Sequence, residues 1–170
     1  MTGLSTYLDR RMWRILLLGA MSGFPWVLIG SALSLWLKED GLSRSAVGWA
    51  GLIFSVYAIN FLWAPLIDNI RIPLLSNRIG HRKSWIICFQ ACILFALIGW
   101  SSLYPSTDIW MVMGLGLVIA TASASQDITI DALRIEQIGA DEKSSMAAGA
   151  ATAVVGWWSG YKIGGMVMLF

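Results

Sequence analysis

Ser123-Ala-Ser-Gln-Asp-Ile-Thr-Ile-Asp-Ala-Leu-Arg-Ile-Glu136 decides how the rest of the chain is read. It continues an apolar run long enough to lie in a membrane. It then brings Gln126, Asp127, Asp131 and Arg134 in quick succession. At about 100° per residue, Asp127, Asp131 and Arg134 fall within roughly 60° of one another on one helix face, and Glu136 points to the opposite side. A helix in lipid carries such a face only where it looks into protein or a water-filled cavity. The stretch therefore predicts a helical bundle with ionisable groups turned inward.

The composition around it agrees. Of the 170 residues, 57% are hydrophobic and 13% charged, with a mean hydropathy of +0.68. A soluble domain carries about 25% charged residues. The charges are also clustered. There are 23 uncharged residues between Arg14 and Lys38, 23 between Arg44 and Asp68, and 24 between Lys83 and Asp108. A further 18 separate Asp108 from Asp127, and 18 separate Lys143 from Lys162. A spanning helix needs roughly 20 apolar residues. The expected fold is an all-α integral membrane protein with five spans, near residues 12–37, 46–67, 84–104, 109–132 and 146–170. Because the fifth apolar run reaches the last residue, residues 1–170 read as one transmembrane bundle from a longer protein.

The net charge of +2 says little, but its layout says more. Arg10, Arg11 and Arg14 precede the first span. Arg71, Arg78, Arg82 and Lys83 lie between the second and third, and Arg134 and Lys143 between the fourth and fifth. The opposite side has only Lys38 and Arg44. The positive-inside rule places the N-terminus in the cytoplasm. Cations divided among short loops do not make a nucleic-acid surface. The first span is too long for a signal-peptide core and is read as uncleaved. Cys88 and Cys92, four apart on an apolar stretch, read as small packing residues without zinc-type spacing. The single histidine, His81, reads as a solvated loop residue. With no His–Asp pair, no Cys–His pair and no metal cluster in the pattern, the expectation is a non-enzyme without cofactor.

Small residues foretell the packing. Gly19-x-x-x-Gly23 in the first span and Gly156, Gly160 and Gly164 in the fifth let helices approach closely. Pro25 is expected to kink the first span, and Ser43 to cap the second. Pro105-Ser-Thr-Asp108 reads as a tight outer turn. Trp36, Trp63, Trp85 and Trp110 fall near span ends, where an indole suits the headgroup region. Trp157 and Trp158 read as packing residues.

Four residues are candidates for a proton and substrate cavity. Asp127 leads, since a carboxylate moved between wet and dry surroundings binds and releases a proton. Gln126 suits sugar hydroxyls or amides. Asp131 lies on the same face, and Lys162 suits a substrate carboxylate. Measured from the turn near Ala140, Asp127 lies about 20 Å and Lys162 about 31 Å along their helices, too far apart in depth to touch. Arg134 and Glu136 are assigned to ion pairing at the inner face. Asp131 and Arg134, three apart, also suit a pair.

The second constellation is Asp68 at the end of the second span, followed by Gly80-His81-Arg82-Lys83. An acid, a glycine and a basic pair at this place resemble motif A of the major facilitator superfamily. The resemblance implies that Asp68, Gly80, Arg82 and Lys83 help to hold one conformation of a transporter. More specific are Ser125-Gln-Asp-Ile-Thr-Ile-Asp-Ala132, Phe61-Leu-Trp-Ala-Pro-Leu-Ile-Asp68 and Val155-Gly-Trp-Trp-Ser-Gly-Tyr-Lys-Ile-Gly164. Together these resemble the AmpG-type muropeptide permeases, and more distantly the acetyl-coenzyme A transporters. The likeness runs along nearly the whole chain. The loop from Asp68 to Gly80 is longer than in the bacterial permeases, and His81 stands where an Arg is usual. The resemblance implies five helices of a six-helix N-terminal half, completed by a C-terminal half. It implies residence in the inner membrane and import of GlcNAc-anhydro-muropeptides by proton symport. The alternatives are another anionic solute such as acetyl-coenzyme A, or a truncated membrane protein that transports nothing.

Overall fold

The computed structural model describes residues 6–139 and 142–169, with side chains to residue 167. All regular structure among them is helical. We label the helices α1 (Arg10–Glu39), α2 (Arg44–Leu62), α3 (Ala64–Asn69), α4 (Leu75–Ile79), α5 (His81–Trp100), α6 (Pro105–Ile138) and α7 (Lys143–Leu169). Four of them, α1, α2, α5 and α6, are long and apolar enough to cross a membrane. The expected fifth span, α7, has 27 residues, about 40 Å of helix. It lies outside that set because glycine, serine and tryptophan dilute its apolar residues.

The boundaries follow local chemistry. Ser43 caps α2 as expected, its hydroxyl accepting the Ala46 N–H at 3.3 Å. The Pro105 segment is a tight turn, one turn of helix that opens α6. Pro105 leads it, where its missing N–H costs nothing, and a break at Asp108 (φ −115°, ψ 29°) separates it from the long body of the helix. α6 also runs beyond residue 132, to a stop at Gly139, whose φ of +82° suits glycine. The inner loop between Asp68 and Gly80 is not wholly irregular, since it holds α4.

α1 and α7 cross with almost no side-chain volume between them. A Cβ on Gly19 would lie 2.5 Å from the Ala153 carbonyl oxygen, and one on Gly23 would lie 2.0 Å from that of Trp157. Reciprocally, Gly156 would meet the Leu16 oxygen at 2.2 Å and Gly160 the Ala20 oxygen at 2.0 Å. Lipid tails are as apolar as leucine, so such backbone-to-backbone contact is what drives helix association in a membrane. A second packing region joins the outer half of α1 to α2, α5 and α6 through Leu33, Leu37, Ile53, Trp100, Val112 and Ile119.

Pro25 lies inside α1 and cannot donate to the Met21 carbonyl one turn back. The ladder slips just beyond it into a π-helical segment, Leu28–Ala32. The Met21 oxygen takes a donor from another helix instead, the Gln126 amide at 3.5 Å. Neighbouring helices commonly satisfy backbone groups freed in this way.

At the N-terminal end of α1, Arg11 ties that helix to the segment before α7. Its backbone N–H and Nε both bond to Asp9, at 2.9 Å each. Its terminal nitrogens hold Glu142 at 3.0 and 3.2 Å, just before α7. The hydrogen bond from Arg11 keeps the Glu142 carboxyl below its ordinary pKa. A depressed carboxyl contributes stability above its unfolded pKa and loses it as the pH falls. The stability difference between the wild type and Arg11→Gln is therefore expected to shrink as pH falls from 7 to 4, and to shrink with added salt at pH 7. Thermal unfolding in detergent checks both. A difference independent of pH and salt would count against the ion pair.

Candidate functional site: a polar centre between three helices

Three spans bring polar side chains to one place in an apolar bundle. α1 supplies Ser22, α2 supplies Tyr57, and α6 supplies Ser123 and Asp127. Ser22 lies beside Asp127, and the Tyr57 hydroxyl faces Ser123 with Asp127 close by. Ser22 and Ser123 are buried. The Tyr57 hydroxyl, Ser123 Oγ and Asp127 Oδ1 are each shut off from solvent without a hydrogen-bond partner. Unpaired polar atoms in such surroundings are costly, and packing alone gives no reason for three of them together.

Gln126 sits next to Asp127 but has a different part. It is fully buried, and its Oε1 accepts from Gln90 Nε2 at 2.7 Å while its amide reaches the Met21 carbonyl. It links α1, α5 and α6, and both ends of its side chain are occupied by protein. Sequence alone assigned it to the cavity with Asp127.

The charges nearer the C-terminal end of α6 form two clusters. Asp131 pairs with Arg134 at 3.0 Å, the i,i+3 arrangement. Arg82 lies between two carboxylates, bonding Asp68 and reaching Glu136 at 3.1 Å. Arg134 and Glu136 therefore do not pair with each other. Two apart on a helix, they face different sides, and each finds its partner elsewhere. Gly80 supplies the sharp entry to α5 at φ +96°. Its carbonyl accepts the Ser84 hydroxyl at 2.7 Å. Lys83 is exposed and has no carboxylate partner among the described residues. His81 is not a solvated loop residue. It opens α5 half-buried, with Nε2 2.9 Å from the Ile67 carbonyl oxygen.

Lys162 does not join Asp127. It is exposed and lines a groove of about 670 Å³ between α1, α5 and α7, together with Ser31, Trp36, Glu39 and Tyr161. No residue of α6 borders that groove. Trp63, expected at the interface, also has an internal bond, its indole N–H donating to Ser125 Oγ at 2.9 Å. Ser22, Tyr57 and Ser123 were missed by sequence reasoning. Ser22 had a weak signal as a lone polar group within an apolar run, whereas Ser123 stands among Thr121, Ser125 and Gln126 with nothing to single it out. No group of three or more His, Cys, Asp or Glu suited to a metal occurs among the described residues.

A multi-pass helical bundle, with a carboxylate in an inward polar centre and a charge cluster joining span ends, has the make-up of a secondary membrane transporter. Known proteins resolve the class further. The chain is 36% identical over 162 residues to the AmpG 4 protein of Rickettsia felis, covering 95% of this chain and 38% of that one. It is 33% identical over 156 residues to the anhydromuropeptide permease of Escherichia coli K12, covering 92% of this chain and 30% of the permease. It is 35% identical over 128 residues to the AmpG 1 protein of Rickettsia conorii, covering 75% and 31%. Over most of its length this chain is homologous to part of the AmpG-type transporters, and its all-helical membrane fold is of the major facilitator kind. It spans 30–38% of the length of these relatives. They are named as transporters or permeases and not as enzymes. No family model matches the chain, and no solved structure matches it significantly.

Proposed function

We propose that this chain forms part of a proton-coupled transporter that carries peptidoglycan-derived muropeptides inward across the inner membrane, with its N-terminus in the cytoplasm. The observation that carries the reading is the Asp127 carboxylate. It lies on a helix long and apolar enough to cross the membrane, its Oδ1 is buried and unpaired, and Ser22 of α1 lies beside it with Tyr57 of α2 close by. A carboxylate without a fixed cation can take up and release a proton as its surroundings alternate between wet and dry. A permanent ion pair could not. The solute, an anhydromuropeptide, comes from the name of the Escherichia coli relative.

Arg82 supplies the second part. Bound to Asp68 at the end of α3 and to Glu136 near the end of α6, it ties together span ends that a rocking motion would separate. Both carboxylates are about half exposed, so the cluster is worth little in stability. Its proposed part is to bias one conformation. Asp131 and Arg134 pair with each other and serve as structure.

The test is uptake of labelled GlcNAc-anhydro-muropeptide into vesicles holding the protein from its complete reading frame, with and without an inward proton gradient. Gradient-dependent uptake is expected. Asp127→Asn, which keeps the shape of the side chain and removes its titration, should abolish the gradient-dependent part and leave the membrane level of the protein unchanged. Wild-type uptake by that variant would remove Asp127 from the coupling.

A further inference from the structure

The polar centre is bordered by aromatic rings. Trp26 lies one helical turn beyond Ser22 on α1, about 6 Å along the axis. Its ring centroid is 4.8 Å from Phe54, 4.9 Å from Tyr57 and 5.6 Å from Trp157. Trp157 in turn stacks on Tyr161, with centroids 5.6 Å apart and planes 10° from parallel. Rings from α1, α2 and α7 thus form one continuous wall, and Tyr57 belongs both to that wall and to the polar centre.

Three of the ten tryptophans have an indole N–H bonded to a described residue. Trp63, Trp85 and Trp100 donate at 2.9 Å to Ser125 Oγ, the Ile70 carbonyl and the Val112 carbonyl. Trp26 and Trp157 are half-buried, yet neither indole makes a hydrogen bond to any described residue. Neither N–H is among the atoms sealed from solvent. Each therefore keeps a free, reachable donor at the edge of an apolar ring cluster. A pyranose ring has the matching features, with apolar C–H faces and hydroxyl acceptors at its edge. Binding sites commonly combine an aromatic lining with a few placed polar groups.

We propose that Trp26 and Trp157 form a saccharide-binding wall beside Asp127, holding a sugar ring by face contact and by their indole N–H groups. The proposal rests on the transport reading and deepens it, assigning the sugar portion of the solute to α1 and α7. It gives the two tryptophans a direct contact with the solute, whereas packing alone would need only their rings.

The experiment uses the protein from its complete reading frame. Trp26→Phe and Trp157→Phe keep an aromatic ring and remove the N–H, so folding is preserved, and membrane abundance verifies it. The KM for labelled anhydro-muropeptide is expected to rise several-fold in each, about the effect of one lost hydrogen bond, with the maximal rate little changed. Peptide-free GlcNAc-anhydro-MurNAc should compete with uptake by the wild type and compete more weakly in both variants. An unchanged KM and unchanged competition in both variants would overturn the proposal, as would competition by free peptide alone. Absence of muropeptide uptake by folded wild-type protein would defeat the transport reading, and direct binding of the disaccharide then decides the inference. Indole quenching by disaccharide in the wild type, weakened in Trp26→Phe, sustains the wall. No quenching in the wild type overturns it.

Discussion

Gly160→Leu is expected to leave little folded protein in the membrane. The reason is backbone against backbone. A single Cβ at Gly160 would come within 2.0 Å of the Ala20 carbonyl oxygen, with the Ala20 carbonyl carbon and Cα both at 2.7 Å. No side chain can rotate away to make room, so α1 and α7 must separate along the contact that holds them. Even Gly160→Ala is expected to cost about 1–3 kcal/mol, the ordinary range for overpacking a tight contact. Gly114 is the control. It has open space around it, so Gly114→Ala should be neutral or stabilising by up to about 1 kcal/mol through helix propensity. Denaturation titrations in mixed micelles read both. Equal effects at positions 114 and 160 would show that the α1–α7 contact does not have this geometry.

Gln126→Leu is the second large effect, and it carries an internal check. The substitution leaves the Gln90 amide and the Met21 carbonyl without their partner. The 2.7 Å bond to Gln90 is the stronger of the two, and 3.5 Å to Met21 is long. Interhelical hydrogen bonds in membranes are modest singly, but two stranded groups in one buried place should cost about 2–4 kcal/mol. Pro25 makes the result diagnostic. Pro25→Ala restores a backbone N–H that can donate to the Met21 carbonyl within α1. The double variant Pro25→Ala/Gln126→Leu should therefore lose less stability than the two single changes added together, by about 1 kcal/mol. Strict additivity would mean that Gln126 does not compensate for the proline.

Much of the architecture was legible in the sequence because its signals are local. Runs of 18 to 24 uncharged residues mark the spans, since lipid forbids unpaired charge over that length. Ser43 caps a helix by a bond three residues long. Gly19, Gly23, Gly156, Gly160 and Gly164 recur at four-residue spacing and so lie on one face of their helices. The face of Asp127, Asp131 and Arg134 follows from the same periodicity. None of these requires knowing which helix lies beside which.

The tertiary structure decided everything that depends on the rotation and crossing of neighbouring helices. Gln126 and Asp127 are adjacent in sequence, yet about 100° of helix rotation turns one toward Gln90 and Met21 and the other toward Ser22. Glu136 meets Arg82 across 54 residues of chain, which no spacing within α6 announces. Lys162 faces a groove along α1 and α5 and not the polar centre. Pro25 can be read as a kink from the sequence. That the carbonyl it frees accepts a glutamine 105 residues away depends on how α6 lies across α1. A helix's own periodicity fixes which residues share a face, and only the packed bundle fixes what each face meets.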